Sequence, residues 1–160
     1  MATRPMHGEH GAAIGVKPGH LRLVPGQRLP LVVFVGVGDD RRSRVAAALL
    51  EHRAKGRVQA VSMSPATVRP DPVVARSLIG LGIDLRGQRS MPVSQELLER
   101  ATTVVLMGYT ADELAVRTED WYIDDPSGKD PQTVRYLLDA IDRRVQRLLA
   151  RLEVGRNLLS

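Results

Sequence analysis

The chain has 160 residues and a formal net charge of +5, with 43% hydrophobic residues, 26% charged residues and no cysteine. This length and composition predict one soluble globular domain and no membrane-spanning segment. The lack of cysteine excludes disulfides, thiolate metal sites and every mechanism that needs a cysteine nucleophile.

Most of the basic excess lies at the start of the chain. Residues 1–30 contain Arg4, Lys17, Arg22 and Arg28 against one acid, Glu9, so the remainder is nearly balanced. Aromatic residues make up only 3% of the chain, too few for a base-stacking surface. We therefore expect no nucleic-acid partner. No secretion signal is recognisable, so we also expect a cytoplasmic protein without a membrane partner.

Residues 1–29 predict a flexible N-terminal extension, because they combine Gly, Pro and His without apolar periodicity. The extension contains His7, Glu9, His10 and His20. A loose group of this kind in polar sequence is more often solvated than metal-bound, so we expect no metal and no cofactor. Residues 30–153 form the predicted domain, and 154–160 a C-terminal tail.

From residue 31 the sequence alternates between strand and helix patterns. Apolar runs at 31–35, 58–62 and 103–107 predict buried strands. Helices are predicted at 42–55, 71–79, 95–101, a short segment capped by Thr110, and 131–153. This alternation predicts an α/β fold with three layers, α/β/α, around a central parallel sheet.

The turn after the first strand is the best candidate for a ligand site. In parallel α/β sheets, ligands bind at the carboxyl ends of strands, and backbone N–H groups at a helix N-terminus attract anions. We expect an anion-binding loop made of Gly36, Val37, Gly38, Asp39, Asp40, Arg41, Arg42 and Ser43. The loop lacks the third glycine of a dinucleotide fingerprint and the Gly-Lys-Ser/Thr of a nucleotide-binding P-loop.

The segment from Val33 to Ser43 resembles the phosphate loop of low-molecular-weight protein tyrosine phosphatases and the related arsenate reductases, apolar-apolar-Phe-Val-Cys-x-Gly-Asn-x-Cys-Arg-Ser. Three further segments resemble the family in the same order: Gly82-Ile83-Asp84 with Arg89-Ser90, Ala101 to Met107, and Asp124-Asp125-Pro126-Ser127-Gly128. The resemblance covers about residues 31–152. It implies the family's fold, phosphotyrosine protein phosphatase I-like.

The departures from the family pattern concern the catalytic groups. Gly36 stands at the position of the nucleophilic cysteine, Asp39 at that of the loop-bracing asparagine, and Arg41 at that of the second cysteine. Further departures are Arg44, Ala47, Gln88 and Thr102. By the resemblance, Arg42 would bind the oxyanion, Ser43 would support the thiolate and Asp125 would be the general acid. No intact catalytic set remains, and arsenate reduction lacks its thiol.

The sequence therefore predicts a pseudophosphatase that binds phosphate, another oxyanion, or a phosphorylated protein or small molecule. The alternative is a phosphohydrolase that uses Asp39, Asp40 or activated water, although both residues are also well placed to cap the following helix. A third hypothesis is that Asp39 pairs with Arg42 and closes the loop, unless Arg41 neutralises Asp39 instead.

Trp121 and Tyr122 precede the Asp-Pro segment and have two interpretations. They form a rim for a ligand, or they close the sheet edge over the core. Ser127 and Gly128 occupy the family's tyrosine positions, so we do not expect phosphotyrosine recognition. The pattern carries no information on the oligomeric state.

Overall fold

The computed structural model describes residues 28–88, 90–108 and 118–158. The elements run in the order β1 (Leu31–Gly36), α1 (Arg41–Ala54), β2 (Gln59–Met63), α2 (Pro72–Ile79), a 3-10 turn (Leu85–Gly87), β3 (Ser90–Met91), α3 (Gln95–Arg100), β4 (Thr103–Met107), β5 (Thr118–Asp120) and α4 (Pro131–Leu158).

The predicted α/β fold is confirmed. The described part of the chain holds a five-stranded sheet in the order β3-β2-β1-β4-β5, and every neighbouring pair is parallel. In the central strand, Val33 pairs with Val61 on one side and with Val104 on the other. The predicted helix at Thr110, the N-terminal residues up to 27 and Arg89 lie outside the described residues.

The predicted strands at 31–35, 58–62 and 103–107 all form, because each apolar run is covered on both faces of the sheet. The edge strands β3 and β5 were not predicted. They have two and three residues and are only half-buried, so they carry no apolar run. Helix α4 continues past the predicted end at Glu153 to Leu158, because Gly155 weakens a helix without the clash that proline causes.

Helices α1, α2 and α4 share a buried cluster with one face of the sheet, whereas α3 packs Leu97 and Leu98 on the other face. Trp121 belongs to the first cluster and is 2% exposed. Its ring meets that of Phe34 edge to face, with centroids 5.5 Å apart, and its indole N–H donates to Glu119 at 2.9 Å. The rim hypothesis is therefore wrong for Trp121. Tyr122 is 73% exposed, and its role stays a prediction.

The carboxyl ends of β1 and β4 lie side by side, since Gly36 pairs with Met107. The loop from Gly36 to Asp40, the start of α1 and Gly108 therefore come together at one edge of the sheet. Among the described residues, no helix is long and apolar enough to cross a membrane.

Candidate functional site

The loop between β1 and α1 makes a tight turn at Gly38. The N–H of Asp39 donates to the carbonyl oxygen of Val37 at 2.7 Å, and Gly38 between them has a φ of +72°. This i to i+2 bond with a positive central φ is a γ-turn, which glycine adopts without the strain that a side chain would add. The N–H of Asp39 therefore points at the loop's own oxygen rather than at a ligand.

The backbone of the loop occupies the space beside Gly36. A Cβ atom built on Gly36 would collide with the carbonyl oxygen of Asp39 and would lie 2.7 Å from Ser43 Oγ. If Gly36 stands at the nucleophile position, as the resemblance predicts, the Asp39 carbonyl group fills the volume in which a nucleophilic side chain would begin.

Asp39 and Asp40 use their carboxylates differently. Asp39 Oδ1 accepts from the N–H of Arg41 at 3.0 Å, which satisfies one amide near the start of α1. Asp40 occupies the N-cap position of α1 but makes no side-chain cap bond, so the capping prediction is wrong for this residue. Its φ of −98° and ψ of 13° differ from the extended backbone of a capping residue.

The Asp40 carboxylate instead reaches across to the segment after β2. Asp40 Oδ1 accepts from the N–H of Val68 at 2.9 Å, Oδ2 has no hydrogen-bond partner among the described residues, and the residue is 1% exposed. A phosphate ester in solution cannot reach this carboxylate in the observed conformation. The arrangement therefore argues against Asp40 as a nucleophile.

Arg41 joins the loop to the Asp-Pro segment. Its Nε lies 3.8 Å from Asp39 Oδ2, and its Nη1 lies 3.6 Å from Asp125 Oδ2. Asp125 Oδ1 accepts from the N–H of Ser127 at 2.9 Å. A general acid needs a protonated oxygen directed at the leaving group, whereas one Asp125 oxygen faces an amide and the other faces Arg41.

Arg42 has a neutral partner. Its Nη1 donates to the carbonyl oxygen of Ile123 at 2.9 Å, and the residue is half-buried. The guanidinium group lies against Gly108, where a Cβ would come within 2.9 Å of Nη2. No carboxylate in residues 28–88, 90–108 and 118–158 forms an ion pair with Arg42. The predicted Asp39–Arg42 pair does not form, because Asp39 faces Arg41.

Ser43 is fully buried and opens a chain of hydroxyl groups that sequence reasoning missed. Ser43 Oγ lies 2.8 Å from Ser62 Oγ, which lies 2.8 Å from Ser90 Oγ. Ser62 belongs to β2 and Ser90 to β3, at paired positions of the sheet. A serine inside an otherwise apolar strand is the signal that could have identified Ser62, because a buried hydroxyl needs a partner.

Two departures from the family pattern, Arg44 and Gln88, contact each other. The Arg44 side chain donates from Nε to the carbonyl oxygen of Gln88 at 2.6 Å and from Nη2 to that of Leu85 at 2.9 Å. Arg44 therefore ties α1 to the segment before β3. These contacts stabilise the scaffold beneath the loop rather than contribute a group to it.

Asp71 connects α2 to the same Asp-Pro segment. Asp71 Oδ2 accepts from the N–H of Gly128 at 3.0 Å, and this bond is the main reason that the pKa of Asp71 lies below its ordinary value, while burial opposes the shift. Together with Arg41 and Ser127, Asp71 lines a small hollow that opens to solvent beside the loop. No group of three potential metal ligands occurs within the described ranges.

The chain is similar to a known protein in sequence and to solved structures in fold. No family model matches the chain. A Halobacterium salinarum protein named as an arsenate reductase is 30% identical over 121 residues, which cover 70% of this chain and 85% of that protein.

Among solved structures, an arsenate reductase in the phosphate-binding state superposes with a TM-score of 0.67 at 23% identity, covering 78% of this chain and 99% of the other. YwlE arginine phosphatase, with its active-site cysteine replaced by a phosphorylated serine, superposes with a TM-score of 0.65 at 22% identity over 80% of this chain and 99% of the other. At such identities the superpositions establish the fold alone.

Proposed function

The chain belongs to the family of arsenate reductases and low-molecular-weight phosphatases as a member without the catalytic cysteine, and we propose that it is a pseudophosphatase that binds a phosphate-like oxyanion without turnover. The proposal has two parts, loss of catalysis and retention of an anion site, and each depends on different residues.

Three observations support the loss of catalysis. Gly36 offers no nucleophile, and the Asp39 carbonyl oxygen fills the adjacent space. Asp125 directs its two oxygens at the Ser127 N–H and at Arg41. A thiol for arsenate reduction is absent from the whole sequence.

Retention of an anion site depends on one observation: among the described residues, no carboxylate neutralises the charge of Arg42. In the part of the chain that the structure describes, this half-buried cation donates to a carbonyl oxygen and meets no carboxylate, so an oxyanion would compensate its charge. The guanidinium fork matches two oxygens of a phosphate group. Arg42 also lies at the carboxyl edge of the sheet, in the first turn of α1, where anions are favoured.

The competing enzyme hypothesis, an Asp nucleophile or activated water, has less support. Asp40 is buried and bonded to Val68, and Asp39 is engaged with Arg41. An aryl phosphate assay separates the two hypotheses, because turnover that disappears in Asp39→Ala or Asp40→Ala would identify an enzyme.

The binding test is calorimetric titration with phosphate, sulfate and arsenate. We expect saturable binding to the wild type and its loss in Arg42→Ala. The matched control is Arg100→Ala, which removes an exposed arginine before the amino end of β4, at the opposite edge of the sheet. Equal binding by wild type and Arg42→Ala, or no binding at millimolar anion, would contradict the proposed anion site.

A further inference from the structure

The loop at Gly36 has contracted into the space that a side chain at this position would occupy. Its floor holds the carbonyl oxygen of Asp39. Two amides that could face an anion are bonded within the loop, Asp39 N–H to Val37 and Arg41 N–H to the Asp39 carboxylate. The observed conformation therefore presents an acceptor where an oxyanion needs donors.

We propose that this contraction is an autoinhibited state of the oxyanion site, permitted by Gly36 and reversed when an oxyanion binds. The inference rests on the proposed function, since it concerns the same site. It assigns Gly36 a positive role: any side chain there would exclude the closed loop. Glycine at position 36 would then both remove the nucleophile and permit the closed loop.

Among the described residues, the contacts that hold the loop closed are few and local. Besides the two backbone donors, the ion pairs of Arg41 with Asp39 and Asp125 measure 3.8 and 3.6 Å, and their side chains are 34–44% exposed. Exposed pairs of this kind contribute little to stability. Gly38, with its φ of +72°, gives the backbone freedom to rearrange without strain from a side chain. Both states are therefore accessible to a loop that a ligand can bias.

Opening requires the Asp39 carbonyl group to leave the floor of the loop. Rotation of the peptide plane between Asp39 and Asp40 would replace this acceptor with the N–H of Asp40, a donor. Asp40 can stay anchored meanwhile, because its carboxylate is bonded to Val68 outside the loop. This rotation replaces a carbonyl oxygen, which repels an oxyanion, with an N–H group, which attracts one.

Gly36→Ala tests the inference directly. Its Cβ cannot coexist with the Asp39 carbonyl oxygen, and this atom is backbone, so the loop must shift. Because the apparent dissociation constant equals the intrinsic one divided by the open fraction, removing a closed state that holds about nine-tenths of the molecules would tighten phosphate binding about tenfold.

The measurement is phosphate titration of wild type, Gly36→Ala and two controls. Gly87→Ala adds a Cβ with no atom within 4 Å and should bind like wild type. Asp39→Ala keeps the carbonyl group but removes the carboxylate, so it should bind less tightly than Gly36→Ala. Circular dichroism verifies folding of each variant. Binding by folded Gly36→Ala that is equal to or weaker than wild type would overturn the switch and leave the proposed anion site intact.

A second measurement needs no variant. In the wild type, saturating phosphate should shift the amide resonance of Asp40 strongly, since rotation of the peptide plane between Asp39 and Asp40 would turn this N–H toward the anion. An unchanged Asp40 amide in a phosphate-saturated protein would also overturn the inference. If neither wild type nor folded Gly36→Ala binds phosphate, the oxyanion function itself is wrong.

Discussion

Replacement of Asp71 should reveal how strongly α2 and the Asp-Pro segment depend on one carboxylate. Asp71 Oδ1 accepts from the N–H groups of Val73 at 2.9 Å and Val74 at 3.2 Å, and Oδ2 accepts from that of Gly128 at 3.0 Å. Loss of a helix cap typically costs about 1 kcal/mol. Loss of the hydrogen bond to Gly128 adds about 1 kcal/mol to this cost. We therefore expect Asp71→Ala to lower the free energy of unfolding by about 2 kcal/mol.

Asp71→Asn separates the two contributions. Asparagine caps helices as well as aspartate does, so its oxygen can keep the bonds to α2. Its amide nitrogen cannot accept from Gly128, and about half of the loss should remain. The expected order of stability is wild type, then Asp71→Asn, then Asp71→Ala. For a chain of this size, 2 kcal/mol corresponds to a decrease in Tm of about 4 to 8 °C.

Urea unfolding of the three proteins at neutral and acidic pH is the assay. The pKa of Asp71 is lowered in the folded protein, first by the Gly128 bond. Its stabilisation is therefore complete above the pKa of the unfolded chain and is lost as the pH falls through the folded pKa. The difference between wild type and Asp71→Ala should shrink in acid. Equal stability of Asp71→Asn and Asp71→Ala would refute the cap, and equal stability of Asp71→Asn and wild type would refute the Gly128 bond.

Two further predictions concern Glu119 and Gly36. Burial raises the pKa of Glu119, but the stronger combined effect of the bonds from Trp121 and Arg151 leaves it below its ordinary value. Glu119→Gln should therefore lower the free energy of unfolding by about 1 kcal/mol at neutral pH. This difference from wild type should fade as the pH drops through the folded pKa of Glu119. A difference that grows in acid would contradict the prediction. Gly36→Cys should hydrolyse p-nitrophenyl phosphate no faster than buffer, because Arg41 and Ser127 still hold Asp125. Turnover that iodoacetamide abolishes would show that the cysteine alone restores catalysis.

The local sequence pattern was sufficient to predict most of the strands and helices. The strands β1, β2 and β4 are continuous apolar runs, and α4 repeats its apolar residues every three or four positions, so neighbours along the chain already specify each element. The positions of Gly36, Arg42 and Asp125 in the family pattern were also proposed from the sequence, and these assignments stay predictions. The short edge strands were not, because a strand of two or three residues forms only when a neighbouring strand is in place.

The contacts of the charged loop residues were decided by tertiary structure. Sequence reasoning left Asp39 free to pair with Arg42 or Arg41, and the fold selects Arg41 because Arg42 is drawn to the carbonyl group of Ile123, far along the chain. The Asp40 carboxylate likewise accepts from the N–H of Val68, a residue that folding brings close to it.

The sequence by itself determined the α/β scaffold, the absent thiol and the location of the loop, since these depend on composition and on residues close together in the chain. Only the tertiary structure decided that Trp121 is core and that the Asp39 carbonyl group fills the space beside Gly36. The physical reason is that side-chain direction and peptide orientation in a loop depend on partners brought together by folding, and no local pattern encodes the distance between them.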